Sequence, residues 1–274
     1  MKIFIIGLGL MGASYAEGLS KHNEVYGYDI DKEITNKAEN DMIIKGHSLD
    51  EITTSDVVIF AIYPKDILSF LKNNLHLFNK TQLITDMAST KTFVIDSLSE
   101  LLNGYHYLSH HPMAGREYKG YAMHSKNIFI DANFLIVYKN SYDDNDVNKL
   151  VKIASDLRCK VPILVEYHEH DRLVAHVSTL PHIIATSLVL SKDDETLRNY
   201  CGDSYRDMVR TANINEELWT ELIISNGENV VQEIENFVKK LNEMKIAIKE
   251  YNKDSIEDYL RGGKERVRRN HKIK

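Results

Sequence analysis

The stretch KIFIIGLGLMG, residues 2–12, decides the fold. Its first five residues form an apolar run that predicts a β-strand, and the residues after the stretch, Ala13–Ser20, predict a helix. Between the two lies the spacing G-x-G-x-x-G, which in this context is typical of a dinucleotide-binding loop. Gly7 permits the tight turn, Gly9 lets the backbone approach a pyrophosphate, and Gly12 allows close packing of helix on strand.

The residue that ends the second predicted strand, Glu24–Asp29, points to the kind of dinucleotide. Asp29 follows Gly7 by 22 positions, where a carboxylate accepts hydrogen bonds from the ribose hydroxyls of the adenosine and repels a 2′-phosphate. The plainer alternative is that Asp29 merely ends a strand. We predict NAD rather than NADP as the cofactor, held by Asp29 and by the loop residues Gly7, Leu8, Gly9, Leu10, Met11 and Gly12.

Strand-like and helix-like segments alternate through the first half of the chain. Further strands are predicted at Asp56–Ile62, Gln82–Thr85, His106–Ser109, Phe134–Tyr138 and Val161–Val165. Strands that are apolar on both faces and alternate with helices indicate a parallel sheet covered on both sides. We therefore expect a doubly wound, Rossmann-type α/β domain, with its boundary near Glu166.

From Tyr167 onward the sequence predicts helices and no strand. The predicted helices are Leu173–Leu190, Glu195–Val209, Glu216–Val238 and Ala247–Tyr259, followed by a frayed tail at 261–274. Their apolar positions lie on more than one face, which favours burial against a second subunit. We expect two domains, a dinucleotide-binding domain at 1–166 and an all-helical substrate and dimerisation domain at 167–274, in a homodimer.

Composition limits the classes of function. The 274 residues carry 34 basic and 40 acidic side chains, a formal net charge of −6, which argues against a nucleic-acid-binding protein. Two cysteines exclude a disulfide framework and favour a reducing compartment. No stretch approaches the about 18 apolar residues of a membrane span, and the first residues lack a cleavage signal. We expect a cytoplasmic protein that binds neither membrane nor nucleic acid.

Three other segments carry side chains suited to chemistry. Two of them each follow a predicted strand, at the sheet edge where ligands of open parallel sheets bind; they are DMASTK at 86–91 and HHPMAGRE at 110–117. They bring a hydroxyl, Ser89, and an imidazole, His111, to the place where a substrate alcohol could lie. The third segment, YRDMVR at 205–210, lies among the predicted helices and is followed by Trp219.

With these motifs the sequence resembles the prephenate and arogenate dehydrogenases of tyrosine biosynthesis. The resemblance runs from Lys2 to about Asn229 and is carried by GLGLMG at 7–12, D-x-x-S-x-K at 86–91, HPMAGxE at 111–117, LPH at 180–182 and RDxxR at 206–210. It implies a Rossmann domain followed by a helical dimerisation domain. It also implies oxidative decarboxylation of prephenate to 4-hydroxyphenylpyruvate with NAD, without a metal, because the ring is primed to aromatise.

The resemblance also implies roles for single residues. His111 would accept the proton of the substrate 4-hydroxyl, which becomes acidic as hydride leaves, and Ser89 would help to hold that hydroxyl. Arg210 would bind a substrate carboxylate within an ion network that includes Asp207 and Glu117. The remaining residues implied to surround the substrate are His182 and, near the dimer interface, Trp219.

Each of these side chains also has a structural interpretation. Ser89 could cap a helix, Arg210 and Asp207 could form an ordinary surface pair, and Trp219 could be a core residue. The run His168-Glu169-His170-Asp171 resembles a metal cluster, but without a third ligand at a clear spacing we interpret it as a solvated helix start.

Two departures from the family pattern leave the substrate open. Arg116 replaces a small residue, often Ser or Thr, and Thr179 replaces the first histidine of S-H-L-P-H. Arogenate therefore remains an alternative to prephenate. A β-hydroxyacid or imino-acid oxidoreductase would not require HPMAGxE with RDxxR, and a non-catalytic NAD sensor would not require Ser89, His111 and Arg210 together.

Overall fold

Five parallel strands form the first sheet in the computed structural model, which describes residues 1–115 and 119–271. The order is β2-β1-β3-β4-β5, with β1 at Lys2–Ile6, β2 at Glu24–Tyr28, β3 at Val57–Phe60, β4 at Leu83–Asp86 and β5 at His106–Tyr107. Order and direction are those of a doubly wound parallel sheet, which confirms the predicted Rossmann-type fold class. All five strands therefore end at one edge, where the loop at residues 7–12 begins.

Helices cover this sheet on both faces. They are α1 (Leu10–Leu19), α2 (Lys32–Asn40), α3 (Pro64–Asn74), α4 (Thr92–Leu98) and α5 (Asp144–Asp156). Ile3 and Ile5 pack into the same cluster as apolar residues of α1 and α5, whereas Phe4 and Ile6 join those of α3 and α4. Successive side chains of a strand point to opposite faces, so an unbroken apolar strand requires this double cover.

A second sheet of three strands was not predicted. It has the order β6-β7-β8, with β6 at Ser109–Pro112, β7 at Phe134–Tyr138 and β8 at Ile163–Glu166. The strand β6 runs antiparallel to β7, whereas β7 and β8 are parallel. The run predicted as one strand, His106–Ser109, is divided between the two sheets because Leu108 separates β5 from β6. His111 thus lies on a strand of the second sheet.

The helical part begins without a linker. Glu166 ends β8 and caps the next helix, since its carboxylate accepts hydrogen bonds from the backbone N–H groups of His168 (2.9 Å) and Glu169 (3.1 Å). The helices are α6 (Tyr167–Val174), α7 (Leu180–Leu190), α8 (Asp203–Arg210), α9 (Glu216–Ser225), α10 (Gly227–Lys249) and α11 (Lys253–His271). No strand occurs in the described residues after Glu166, as predicted.

The predicted helix boundaries need correction at several places, among them the expected helix Ala247–Tyr259, which is broken at 250–252. The expected helix Glu195–Val209 is interrupted at 200–202, and Glu216–Val238 is broken at Asn226. The tail predicted to fray from Arg261 is instead helical to His271. Lys, Arg and Glu are good helix formers, and an Asp258–Arg261 pair one turn apart (2.9 Å) further favours the helix across Gly262 and Gly263.

The helices α6 and α7 join through a π-helical turn at Ala175–Thr179 into one run of 24 residues, Tyr167–Leu190. By length and composition alone this run could cross a membrane, contrary to the expectation that no stretch comes near. Its first turns, however, carry His170 and Asp171, which are fully buried and hydrogen-bonded to the α/β part. These contacts make it a helix of the folded domain.

The described chain separates into two compact units, residues 1–227 and 228–274. The first contains both sheets and the helices through α9. The second contains α10 beyond its first residue, and α11, with many exposed apolar side chains such as Val238, Leu241 and Leu260.

Candidate active site

The loop after β1 and the end of β2 are joined by hydrogen bonds. Gly7 adopts φ +92°, a left-handed conformation that favours glycine, and its N–H donates to the carbonyl of Tyr28 (2.7 Å). The next N–H, of Leu8, donates to Oδ2 of Asp29 (2.7 Å), while the N–H of Asp31 donates to Oδ1 (3.0 Å). The Asp29 carboxylate is therefore fixed at the mouth of the loop.

Space around the glycines fits a dinucleotide. A Cβ atom on Gly12 would lie 1.8 Å from the carbonyl oxygen of Gly7, so only glycine permits this packing. A Cβ atom on Gly9 would meet nothing within 4 Å, which leaves its backbone open to a ligand. The helix begins at Leu10, three residues earlier than predicted, so the N–H groups of its first turn have no carbonyl of their own helix to bind.

A buried ion pair lies beyond the end of β4. Lys91 Nζ donates to Oδ1 of Asp86 (2.9 Å) and to the carbonyl of His110 (2.7 Å), and neither charged side chain is exposed. Tyr107 (2.8 Å) and Ser109 (2.5 Å) donate to the other carboxylate oxygen. Burial opposes ionisation of Asp86, but the charge of Lys91 and these hydrogen bonds outweigh it and hold its pKa below the usual value. The pair ties the loop at 87–91 to β6.

His111 ends a second buried series of contacts. Its Nδ1 lies 3.0 Å from Nε2 of His170, and Nδ1 of His170 lies 2.8 Å from Oδ1 of Asp171. The two oxygens of Asp171 each accept a backbone N–H at 2.8 Å, one from Lys91 and one from Thr92. The side chains of α6 thereby reach the loop that follows β4.

Both imidazoles are neutral near pH 7. Burial, followed by the neighbouring imidazole and the charge of Lys91, lowers the pKa of His111 well below 6.5. Burial also lowers the pKa of His170, although the Asp171 carboxylate opposes the change. Desolvation raises the pKa of Asp171, but hydrogen bonds from His170 and Thr92 outweigh it, so this carboxyl is ionised.

His110 faces away from this series and into the α/β core. Its ring nitrogens contact the hydroxyls of Thr85 (2.7 Å) and Tyr15 (3.0 Å), and its ring stacks on Phe134. Burial, and then the charge of Lys91, lower its pKa to about 3. It belongs to the packing of the fold, whereas His111 contacts His170 of α6.

Ser89 lies half-buried in the loop between β4 and α4. Its hydroxyl forms no hydrogen bond with another described residue, while the adjacent Thr90 hydroxyl contacts that of Ser225 (3.0 Å). Ser89 is not the cap of α4, because that position belongs to Lys91. Its hydroxyl is thus available to a ligand.

The predicted substrate residues of the helical part form a second group. The rings of His182 and Trp219 lie 4.0 Å apart, and His182 Nδ1 binds the carbonyl of Ser178 (2.8 Å). Arg210 and Asp207 lie exposed on α8, which contacts α7, and Asp207 forms no ion pair with a described residue. His182 follows His170 by twelve residues on one helical run, roughly 18 Å along its axis.

The interpretation of residues 168–171 as a solvated helix start is wrong for half of them. His168 and Glu169 are exposed, but His170 and Asp171 are completely buried. The sequence carried a signal for this: Tyr167, His170, Asp171 and Val174 have the i, i+3, i+4, i+7 spacing of one helix face, and its ends are apolar.

The sequence singled out three further positions, Arg116, Glu117 and Thr179. Glu117 and the departure Arg116 lie outside the described residues. The other departure, Thr179, is buried at the end of the π-helical turn. Within residues 1–115 and 119–271, no group of three or more His, Cys, Asp or Glu side chains is arranged to hold a metal ion.

A glycine-rich loop with an acidic partner, together with a buried neutral imidazole on a strand tied to the loop after β4, is typical of a dinucleotide-dependent dehydrogenase. Comparison with known protein families supports this class of enzyme. Residues 16–163 match the family described as "Prephenate dehydrogenase, nucleotide-binding domain", and residues 166–262 match "Prephenate dehydrogenase, dimerization domain". The chain belongs to the prephenate dehydrogenase family.

Individual relatives span nearly the whole chain. A prephenate dehydrogenase of Lactococcus lactis is 31% identical over 96% of this chain and 75% of its own length. The prephenate dehydrogenase of A. aeolicus, solved with hydroxyphenyl propionate and NAD+, is 26% identical, with a TM-score of 0.86 over 97% of this chain and 96% of that one. An arogenate dehydrogenase of Synechocystis, 23% identical, shares the fold over the full length of both chains (TM-score 0.85).

Proposed function

We propose that this enzyme is a prephenate dehydrogenase, which converts prephenate into 4-hydroxyphenylpyruvate and CO2 with NAD as the oxidant. The observation that carries the proposal is a buried, neutral His111, held on β6 beside the loop that follows β4 of the nucleotide-binding sheet. A neutral imidazole can accept the proton that a ring alcohol loses as it is oxidised.

The residues around the loop fit the cofactor. The open backbone at Gly9 and the free N–H groups at the start of α1 suit a pyrophosphate, and the fixed Asp29 carboxylate suits ribose hydroxyls. When bound, NAD supplies the acceptor for the hydride that leaves ring C4.

The chain's own residues handle the proton and the position of the hydroxyl. As C4 loses hydride the 4-hydroxyl turns into a carbonyl, and its proton passes to His111. The ring carboxylate then leaves as CO2, its bonding electron pair aromatises the ring, and the 4-oxygen takes the proton back from His111 to give the hydroxyl of the product. The hydroxyl of Ser89, which has no described partner, holds the same oxygen in place. Because the interaction with His111 strengthens as the hydroxyl becomes acidic, it stabilises the transition state more than the bound substrate.

Arg210 is the proposed source of positive charge for a substrate carboxylate, and the family motifs propose Asp207 and Glu117 as the acids that accompany it. His182 and Trp219, whose rings lie in contact, line the same substrate pocket. The guanidinium of Arg210 presents a planar pair of donors that matches a carboxylate.

Replacing Arg210 by Gln should mainly raise the KM for prephenate. The carboxylate keeps its charge throughout binding and hydride transfer, so kcat should change little. A charge-assisted contact contributes about 1.5–3 kcal/mol, which corresponds to roughly 10–150-fold in KM. Steady-state kinetics measure this, with Arg206→Gln as the control, since Arg206 lies one turn earlier and pairs with Asp203 (2.9 Å). An unchanged KM in Arg210→Gln would remove Arg210 from the site.

NAD should be preferred over NADP. A 2′-phosphate would face the Asp29 carboxylate, and such a repulsion costs about 1–4 kcal/mol near a protein surface, so we expect kcat/KM to favour NAD by roughly 5-fold or more. Asp29→Asn should shrink the ratio, while Asp31→Asn, which alters only the cap of α2, should preserve it. A wild-type ratio that favours NADP would contradict this role of Asp29.

Parallel assays of prephenate and arogenate, each with NAD and NADP, test the proposed function. We expect turnover with prephenate and NAD, formation of 4-hydroxyphenylpyruvate, and CO2 release. A higher kcat/KM for arogenate would assign the arogenate alternative, and turnover of neither compound would refute the proposal.

We propose a homodimer built by the helical part. The run Tyr167–Leu190 exposes Leu173, Val177 and Leu190, and α10, within its own unit, exposes further large apolar side chains. Surfaces of this kind are rarely left to water. Val177→Glu should weaken the dimer, whereas Val161→Glu, at a still more exposed position before β8, should not. Analytical ultracentrifugation measures the mass, and a wild-type monomer at micromolar concentration would overturn the expectation.

Three broader expectations accompany this function. We propose that residues 1–166 act as the dinucleotide-binding domain and 167–274 as the substrate and dimerisation domain. Cys159 and Cys201 are both free, which suits a reducing, cytoplasmic environment. With a net charge of −6, the enzyme needs neither nucleic acid nor membrane as a partner.

A further inference from the structure

Three buried side chains form a chain of hydrogen bonds that ends at His111. From the far end, Asp171 contacts His170 at 2.8 Å, and His170 contacts Nδ1 of His111 at 3.0 Å. His170 and Asp171 are completely buried and His111 is 8% exposed. Asn226 donates to the backbone carbonyl of Asp171 (2.8 Å) and so holds this turn of α6 in place.

The direction of the chain follows from Asp171. Its carboxylate is ionised and already accepts the N–H groups of Lys91 and Thr92, so toward His170 it can only accept. His170 therefore carries its proton on Nδ1. Because a neutral imidazole has one proton, its Nε2 is bare and must accept from His111.

The proton on His111 is thereby fixed at Nδ1, and Nε2 is left bare. Nε2 forms no hydrogen bond with any described residue, so its lone pair is available to a ligand. The opposite tautomer of His111 would bring two bare nitrogens together at 3.0 Å within a buried contact.

We infer that His170 and Asp171 are positioning residues that hold His111 in the tautomer whose Nε2 accepts a proton from the substrate hydroxyl. The part that concerns the substrate rests on the proposed function; the tautomer itself does not. Neither residue touches the substrate, and both act through the ring of His111.

Kinetics of two substitutions at position 170 test the inference. His170→Leu removes the acceptor, so His111 loses its fixed tautomer, and kcat should fall by about 10²–10³-fold with the KM values for prephenate and NAD within a few-fold of wild type. His170→Gln offers a carbonyl oxygen to the same N–H and should recover most of kcat. His168→Leu, on the exposed face of the same turn, should behave as wild type.

Two kinetic results would overturn the inference. Equal losses in kcat for His170→Leu and His170→Gln, or a lowered Tm with unchanged kcat, would show that His170 only supports the fold. A measurement independent of turnover is ¹⁵N NMR of the wild-type imidazoles at pH 7, assigned with His111→Asn. The inference requires a bare, pyridine-type Nε2 and a protonated Nδ1 on His111.

The two proposals can fail separately. If Nε2 of His111 carries the proton, the inference is wrong even when prephenate is turned over. If neither prephenate nor arogenate is turned over, the proposed function is wrong, and the NMR spectrum still decides the tautomer. The spectrum also decides the matter should His170→Leu fail to fold.

Discussion

Replacing His111 by Asn is expected to lower kcat by ~10²–10⁴-fold, the usual range for loss of a general base. The 4-hydroxyl of the substrate becomes more acidic as hydride departs, so the hydrogen bond to His111 strengthens toward the transition state. Interactions of that kind appear in kcat, while substrate affinity should change much less. NAD binding should stay near wild type, because the loop at residues 7–12 is not altered.

Steady-state kinetics with prephenate, together with direct titration of NAD, measure this effect. His106→Asn is a suitable control, because His106 lies on the neighbouring strand β5 and pairs with Asp146 (2.8 Å). It should retain near-normal kcat. If His111→Asn also did so, the catalytic role of His111 would be wrong.

Acid is expected to destabilise the protein from about pH 6.5 downward, and His110 contributes to this beside His111 and His170, whose pKa values burial also lowers. Burial lowers the pKa of His110 from 6.5 in the unfolded chain to about 3 in the folded protein. Between these two pH values the unfolded state binds a proton at His110 and the folded state does not. The contribution of neutral His110 to the free energy of unfolding is therefore fully present above pH 6.5, and it is lost as the pH falls toward 3. At 1.36 kcal/mol per pH unit the loss is on the order of 5 kcal/mol, comparable with the whole stability of many domains.

Denaturant unfolding at pH 7 and pH 4 measures this dependence. In His110→Gln the difference between the two pH values should shrink by roughly 3 kcal/mol, because the variant has no imidazole to protonate. Removal of the exposed His76 should leave the difference as in wild type. Parallel curves for wild type and His110→Gln would show that His110 does not control acid stability.

The sequence predicted the parts of the fold whose signals are local. The spacing of Gly7, Gly9 and Gly12 after an apolar strand predicts a turn, a helix and a ligand together, and the structure has that turn and helix. Asp29 is recognised in the same way, because its position relative to the loop is set by one βαβ unit. That spacing brings Asp29 next to the loop, where its carboxylate accepts a hydrogen bond from the backbone N–H of Leu8.

Other features depend on contacts distant in sequence, which local patterns do not carry. His170 and Asp171 are polar, and only their hydrogen bonds to residues 60–80 positions away make their burial favourable. The antiparallel pairing of β6 with β7 likewise depends on register across a long loop. The continued helix through Gly262 and Gly263 shows the opposite case, since strong helix formers on both sides outweigh two unfavourable residues.

The π-helical turn at Ala175–Thr179 is the place in this helix where losing one residue should disturb the residues beyond it least. Such a turn contains one residue more than a regular helical turn, and it separates His170 from His182. Deleting one residue within it would leave a regular helix in which four residues turn about as far as the five did, so His182 would still face Trp219. A single-codon deletion in the regular turns on either side would instead rotate the later residues by about 100°, and should be tolerated far less well.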